Sequence, residues 1–263
     1  AAPSAHTTTV ATSSCQLLGR QRLNSGRSPG LYQLRLRPAQ PLTWRAGDLV
    51  EITPPPSATA PETWPRSYSI ASVPSEGVLM LIVRLQQRAD GSFGHCSQWL
   101  TQHLQEGQSL ELQVRANPSC QLANLTAPLL LIGAGSGLAG LRSQIAARVG
   151  QPNAGPVWLM FGERHPDDDQ PLAEELNDWL AQGVLTRIDK VFSRATHNAA
   201  YVQSILDHHH ASLREFLGSA GHVYLCGNRE RMGQAVEASL AAALGQHAFT
   251  QLEQQGRLHR DIY

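Results

Sequence analysis

The sequence predicts two domains in series, an antiparallel β-barrel followed by an α/β domain on a parallel sheet. Three observations carry that prediction. The first part of the chain alternates apolar and polar residues in short runs between Gly and Pro turns, the period of half-buried strands. From about Thr126 the rhythm changes to apolar runs separated by longer amphipathic segments, which implies strands alternating with helices. The length of 263 residues suits two domains, since domains cluster near about 100–150 residues.

Residues 1–14, AAPSAHTTTVATSS, are small, polar and Pro-containing, which is linker composition. The first domain is assigned to residues 15–125. Its strands are Leu31 to Leu36, Leu49 to Ile52, Ser67 to Ile70, Leu79 to Leu85 and Leu110 to Val114. Their spacing argues for a barrel or sandwich. One helix interrupts them, from Ser97 to Glu106, with Trp99, Leu100 and Leu104 on one face and Gly107 as its stop.

The second domain is assigned to residues 126–263. Pro128 to Ile132, Val157 to Phe161, Leu185 to Phe192 and His222 to Cys226 read as strands. Helices fall between them: one through Leu138 to Val149, one through Leu172 to Leu180, and one from Tyr201 to Leu217, broken near the histidines. A long helix through Met232, Val236 and Leu240 follows the last strand. Such alternation gives a doubly wound parallel sheet.

Composition narrows the function classes. Lys plus Arg and Asp plus Glu are equal at 21 each, so nothing demands a nucleic-acid partner. No apolar run approaches the roughly 20 residues needed to cross a bilayer, so no membrane contact by this chain is expected. The four cysteines are scattered with no CxxC pair, which speaks against a disulfide framework or a metal site. A reducing compartment fits, either cytoplasm or the cytosolic side of a membrane. The lack of an initial Met and the linker-like start fit a piece of a longer protein.

The strand Pro128 to Ile132 runs into Gly133-Ala134-Gly135-Ser136-Gly137-Leu138-Ala139-Gly140 and then a helix. Such a turn lets backbone approach a pyrophosphate, and the helix N-terminus adds free N–H groups and partial positive charge. No Lys follows the glycines, which disfavours an ATP-binding loop. After the Leu185 strand come Ser193 and Arg194, with no acid before Asp207. A hydroxyl and a guanidinium suit a 2′-phosphate, whereas NAD-selective sites place an acid there. Arg66-Ser67-Tyr68-Ser69 offers a phosphate ligand, an aromatic face and a hydroxyl. Gly94-His95-Cys96-Ser97 is a small-residue turn feeding a helix. Taken alone, the Ser193-Arg194 pair reads equally as an ordinary surface pair, and the last two segments read as an ordinary strand and an ordinary Ser-capped helix start.

Two clusters are discounted. His208, His209 and His210 are consecutive, so on a helix they point about 100° apart and cannot converge on a metal; a solvated face is expected. Asp167, Asp168 and Asp169 precede Pro171 and are expected at a helix start.

Taken in order, these motifs resemble the ferredoxin–NADP reductase superfamily, especially the reductase half of sulfite reductase flavoproteins and other diflavin reductases. Arg66 to Ser69 matches its R-x-Y-S flavin motif, and Gly94 to Ser97 its phosphate turn. Gly135 to Arg142 resembles its GTGIAPFR segment. Ser193, Arg194, Tyr201 and Gln203 stand at the spacing of its S-R…Y-V-Q set. Cys226-Gly227-Asn228 resembles CGD, and Asp261-Ile262-Tyr263 resembles its Asp-plus-aromatic ending.

The resemblance implies FAD in the first domain and NADPH in a Rossmann-like second domain. It implies that Tyr68 and Tyr263 cover the two flavin faces. Arg66 holds the pyrophosphate with the turn of Gly94, His95, Cys96 and Ser97. Ser69 lies near flavin N5, Cys226 beside the nicotinamide, and Asp261 orients it. Gly135, Ser136, Gly137 and Arg142 serve the nucleotide with Ser193, Arg194, Tyr201 and Gln203. The expected acceptor is a flavodoxin-like domain, a ferredoxin or a haem, as a partner or a fused domain. The sequence departs from the pattern at Ala199 (usually Lys), Gly140 (usually Pro) and Asn228 (usually Asp). An NADH-dependent flavin, quinone or cytochrome reductase, or a redox sensor without turnover, stays open beside this reading.

Overall fold

The structure is a computed structural model and describes residues 11–263. Its first half is an antiparallel sheet of β1 (Ser13–Arg22), β2 (Leu31–Pro38), β3 (Leu49–Ile52), β4 (Arg66–Ser69), β5 (Leu79–Arg84) and β6 (Ser109–Arg115). The strand order is β4-β3-β6-β1-β2-β5. The sheet curls until its edges meet at one bridge, Ile70 to Leu81, and it does not close as a continuous ladder. Alternate residues Leu34, Leu36, Val50, Ile52, Leu110 and Leu112 point inward and form one core with Trp44 and Leu100. Leu100 comes from the helical stretch that β5 and β6 flank, namely α1 (His95–Gln98) continued by a π-helical turn over Trp99–His103.

One detail of this half differs from the sequence reading. Ser13 and Ser14 pair with Leu112 and Glu111 of β6, so the linker expected over residues 1–14 ends earlier. Ladder pairing overrides their weak strand propensity. Residues 1–10 of that linker lie outside the described residues.

The second half is a parallel sheet of β7 (Leu129–Ala134), β8 (Val157–Glu163), β9 (Arg187–Phe192), β10 (His222–Gly227) and β11 (Leu258–Ile262), in the order β11-β10-β7-β8-β9. Helix α2 (Leu138–Ala146) and α3 (Ala173–Ala181) cover one face. On the other lie α4 (Gln203–His208), α5 (His210–Leu217), α6 (Gln234–Leu244) and α7 (Gln246–Gln254). Leu129 and Leu131 face the first layer, and Leu130 and Ile132 the second. Both faces are buried, which is why β7 reads as a continuous apolar run. The helix expected over 201–217 breaks at His209, whose ring meets Trp158 edge-on at 5.8 Å. His209 and His210 are half-buried rather than part of a solvated face. The single long final helix becomes two, because Gly245 turns the chain at φ +87°. β11 then adds an edge strand that apolar periodicity did not signal.

The halves share a core. Ala71, Val73, Met80 and Ile82 of the first pack with Leu138, Leu141 and Ile145 of α2. Arg142, expected at the nucleotide, is instead a buried strut between the halves. It is 2% exposed and donates to Glu175 of α3, to Glu76 and to the Ala71 carbonyl. All five of its N–H donors are used, so none remains for a phosphate. Asp168 and Asp169 also depart from the helix-start expectation, since α3 begins only at Ala173. Asp169 accepts from Asn24 at 2.9 Å and Ser28 at 2.5 Å, and Asp168 pairs with Arg27 at 3.1 Å. These acids latch the second half to the loop between β1 and β2.

One pH effect follows from the start of β10. Burial, then the charges of His259, Arg257 and Arg148, draw the His222 imidazole down to about 4, against about 6.5 in an unfolded chain. As pH falls from about 6.5 to about 4, the unfolded chain takes up a proton that the folded chain refuses. The His222 contribution is therefore complete above that window and is lost through it. His222→Gln is expected to flatten this part of the melting temperature–pH profile relative to the parent.

Candidate functional site

In open parallel sheets ligands gather outside the carboxyl ends of the strands. Here β7 ends at Ala134 and turns through Gly135, Ser136 and Gly137 into α2. The turn lies hard against the end of β10. A Cβ on Gly137 would stand 2.1 Å from the Cys226 carbonyl oxygen, so only glycine fits.

A crevice of about 900 Å³ opens over these strand ends. Seven residues singled out from the sequence line it: Gly135, Ser136, Ser193, Arg194, Tyr201, Gln203 and Tyr263. Ser193 is set at the end of β9 by its N–H to the Glu163 carbonyl at 2.8 Å, and Arg194 by its N–H to the Arg164 carbonyl at 2.7 Å. Tyr201 is 63% exposed, leaving its ring available to a ligand. The lining also includes Arg84, Arg88 and Arg164, with Glu163 as its acid. Arg84 pairs with Glu163 at 2.5 Å. Burial raises the Glu163 carboxyl, and Arg84 pulls it back down. The balance of charge is positive, as a phosphate-bearing ligand requires.

Beside the crevice is a second, buried constellation. Ser69 of β4, Cys226 of β10 and Asp261 of β11 meet there, although they are far apart in sequence. The Ser69 hydroxyl donates to Asp261 Oδ2 at 2.8 Å, the Tyr224 hydroxyl at 3.0 Å and the Cys226 thiol at 3.3 Å. Cys226 Sγ lies 3.9 Å from Ser69 Oγ. Parallel pairing sets Cys226 opposite Asp261 in register. Burial raises the Asp261 carboxyl, and the three donors lower it again. Burial pushes the Cys226 thiol up, and the Asp261 charge adds to this. Gly140 is the fourth wall: a Cβ there would stand 2.6 Å from Asp261 Oδ2 and 2.7 Å from Cys226 Sγ. The departure at Gly140 therefore makes room for this cluster.

Tyr263 joins the two places. Its N–H donates to the Gly227 carbonyl at 3.1 Å, and its carbonyl accepts from Arg229 at 2.9 Å. Its hydroxyl is 2.7 Å from Ser136 Oγ, and the ring is 53% exposed. Partial burial of the side chain raises its hydroxyl above the usual tyrosine range.

The remaining predicted residues lie on the first half. Arg66 and Tyr68 share one face of β4, while Ser69 points to the opposite face and Asp261. Arg66 is exposed. Tyr68 packs against the core that Cys96 joins, and burial raises its hydroxyl above the usual tyrosine range. Gly94 leads into α1, His95 Nε2 is 2.8 Å from the Pro55 carbonyl, and the Ser97 hydroxyl donates back to the Gly94 carbonyl at 2.9 Å. The first N–H groups of α1 have no partner within the helix.

Sequence reading missed Tyr224, Arg84, Glu163 and Arg164. The rule that strand carboxyl ends carry the site could have found Glu163 and Arg164, the last residue of β8 and the next. Tyr224 sits two residues before Cys226 on the same strand face, a period-two signal that was available.

Residues 131–238 match the oxidoreductase NAD-binding domain family. The chain is 34% identical over 203 residues to the sulfite reductase [NADPH] flavoprotein alpha-component of Vibrio cholerae, covering 75% of this chain and 32% of that protein. It is 32% identical over 214 residues to the protein of the same description from Bacillus subtilis, covering 75% and 35%. Against that of Shigella flexneri it is 30% identical over 215 residues, covering 76% and 36%. The chain spans about a third of the length of these curated relatives. The glycine turn beneath the crevice, the two-sheet architecture and these similarities together assign the chain to the ferredoxin–NADP reductase superfamily of oxidoreductases.

Proposed function

We propose that this chain takes hydride from NADPH onto FAD and passes electrons on to a redox partner protein or fused domain. The observation that carries the reading is the meeting of Ser69 from the first half with Cys226 and Asp261 from the second, beside a crevice bordered by Tyr263. In this reading residues 15–125 hold FAD and residues 126–263 hold NADPH, in the cytoplasm or on the cytosolic side of a membrane.

The donor sets fit both groups. Exposed Arg66 and the start of α1 offer a guanidinium and free N–H groups to a pyrophosphate. Tyr68 offers an aromatic ring beside them. Ser193, Arg194 and Gln203, with Tyr201 for stacking, suit a phosphorylated ribose and its base. FAD, when bound, accepts a hydride and releases its electrons singly. The chain's own work is positioning and charge. Ser69 and Cys226 shape the place of the reacting ring. Asp261 supplies negative charge where the nicotinamide becomes cationic. Tyr263 must move off its Ser136 contact to admit that ring, a gating step. The acceptor is a flavodoxin-like domain, a ferredoxin or a haem.

Stopped-flow reduction of the FAD-loaded protein by each nucleotide tests this. NADPH is expected to reduce the flavin at lower concentration than NADH. Arg194→Ala is expected to weaken NADPH by about 10- to 100-fold, the weight of one or two charge-assisted hydrogen bonds, and to leave NADH unchanged. Ala199, where the family carries Lys, favours a second reading in which NADH serves as well. Equal use of both nucleotides with an indifferent Arg194 would establish that one. Protein that takes up neither flavin nor nucleotide would end both.

A further inference from the structure

Trp64 is the most exposed large apolar side chain among the described residues, at 64%. Among those residues it joins no core cluster, hydrogen bond or ring contact. A single exposed aromatic needs no explanation by itself. The place of this one does.

Trp64 stands two residues before Arg66, the first residue of β4, with Pro65 between them. The residue before a proline is driven to extended backbone, and neither Trp64 nor Pro65 lies in a turn or bend. The two-residue period of β4 therefore runs back to Trp64 and puts it on the face of Arg66 and Tyr68. In the pairing of β3 with β4, Val50 stands opposite Tyr68 and Ile52 opposite Arg66. Two residues further, the same register sets Trp64 opposite Pro54. The carbonyl of the next residue, Pro55, lies 2.8 Å from His95 Nε2, and His95 belongs to the turn that opens α1. Arg66 lies near the same turn. Burial raises the Tyr68 hydroxyl and the Cys96 thiol, and the Arg66 charge draws both back. Arg66 Nη1 donates to the Pro65 carbonyl at 3.1 Å, which holds the guanidinium between the two rings.

We infer that the Trp64 ring is the stacking surface for the adenine of FAD, and that it gives the chain a preference for FAD over FMN. The inference rests on the proposed flavin function. One strand face presents Tyr68, Arg66 and Trp64 in order: an aromatic ring, a cation and a second aromatic ring. FAD is joined in the same order, as flavin, pyrophosphate and adenine. At about 3.3 Å per residue the two rings stand on positions about 13 Å apart along the strand, with the cation midway. A purine stacks on an aromatic side chain through one open face and needs no enclosing pocket. FMN ends at its phosphate and has nothing to place on Trp64.

The test is calorimetric titration of the flavin-free full chain with FAD and with FMN, in the parent, Trp64→Ala and Trp64→Phe. Removing an aromatic ring on which a base stacks weakens binding by about 5- to 100-fold. Trp64→Ala is expected to weaken FAD by that factor and to leave FMN unchanged. Trp64→Phe is expected to keep most of the FAD affinity, because a ring remains. Since Trp64 is exposed, the Ala variant should unfold at the same urea concentration as the parent. FAD affinity that Trp64→Ala leaves unchanged overturns the inference and leaves the flavin function standing. So does equal weakening of FAD and FMN, which marks a structural role, and so does a parent that binds the two flavins alike. A parent that binds neither overturns the flavin function itself, and the inference with it.

Discussion

Asp261→Asn is expected to slow single-turnover reduction of bound flavin by NADPH by about 10²- to 10³-fold, the usual weight of one preorganised electrostatic contact. The substitution keeps shape. An amide oxygen can still accept from Ser69, Tyr224 and Cys226, all of which converge on Oδ2, so the fold is expected to survive. What disappears is the charge. A nicotinamide that gives up hydride becomes cationic, and a carboxylate 5% exposed acts on it with little screening by water. The loss should fall on the rate rather than on NADPH affinity, because in the proposed function Ser193 and Arg194, not Asp261, hold the other end of the nucleotide.

A pH profile gives the same residue a second test. Burial raises the Asp261 carboxyl, so its charged form is lost on acidification at a higher pH than for an ordinary Asp. The parent rate should therefore fall on the acid side, and the Asn variant should lack that limb. A variant as fast as the parent at every pH would remove Asp261 from the reaction.

Arg142→Met is the second large effect, and it falls on stability. About 3 kcal/mol of destabilisation is expected, near the low end for breaking a buried ion pair. The low end applies because the partners are not fully buried. The Glu76 and Glu175 side chains are 27% and 33% exposed, so they regain water when the guanidinium goes. The remaining loss is five hydrogen bonds, the close approach of the guanidinium to the Trp179 ring at 5.3 Å, and the tie between Ala71 and α3. Urea denaturation should show a lower midpoint with an unchanged slope. Since Arg142 has no donor left for a ligand, NADPH affinity of the folded variant should match the parent. A large loss of affinity at unchanged stability would return Arg142 to the nucleotide.

The sequence by itself determined the two architectures and the strand–turn–helix that carries Gly135 to Gly137. Periodicity is local, and burial on one face or two imprints it directly on β2 and β7. It also marked residues that line the crevice, because a loop that binds phosphate needs particular residue types at short spacing. Tertiary structure alone decided which charges serve a ligand and which serve the fold. Arg142 and Arg194 are indistinguishable as letters. One is enclosed by Glu76, Glu175 and Ala71, brought from three places in the chain, and the other is left facing a crevice. The same holds for Asp168 and Asp169, which latch the loop between β1 and β2 rather than start a helix. Tyr224 and β11 join the site only because parallel pairing sets Cys226 beside Asp261, 35 residues apart in the chain. Long-range pairing depends on the summed burial of whole faces, and no short window of sequence contains that sum.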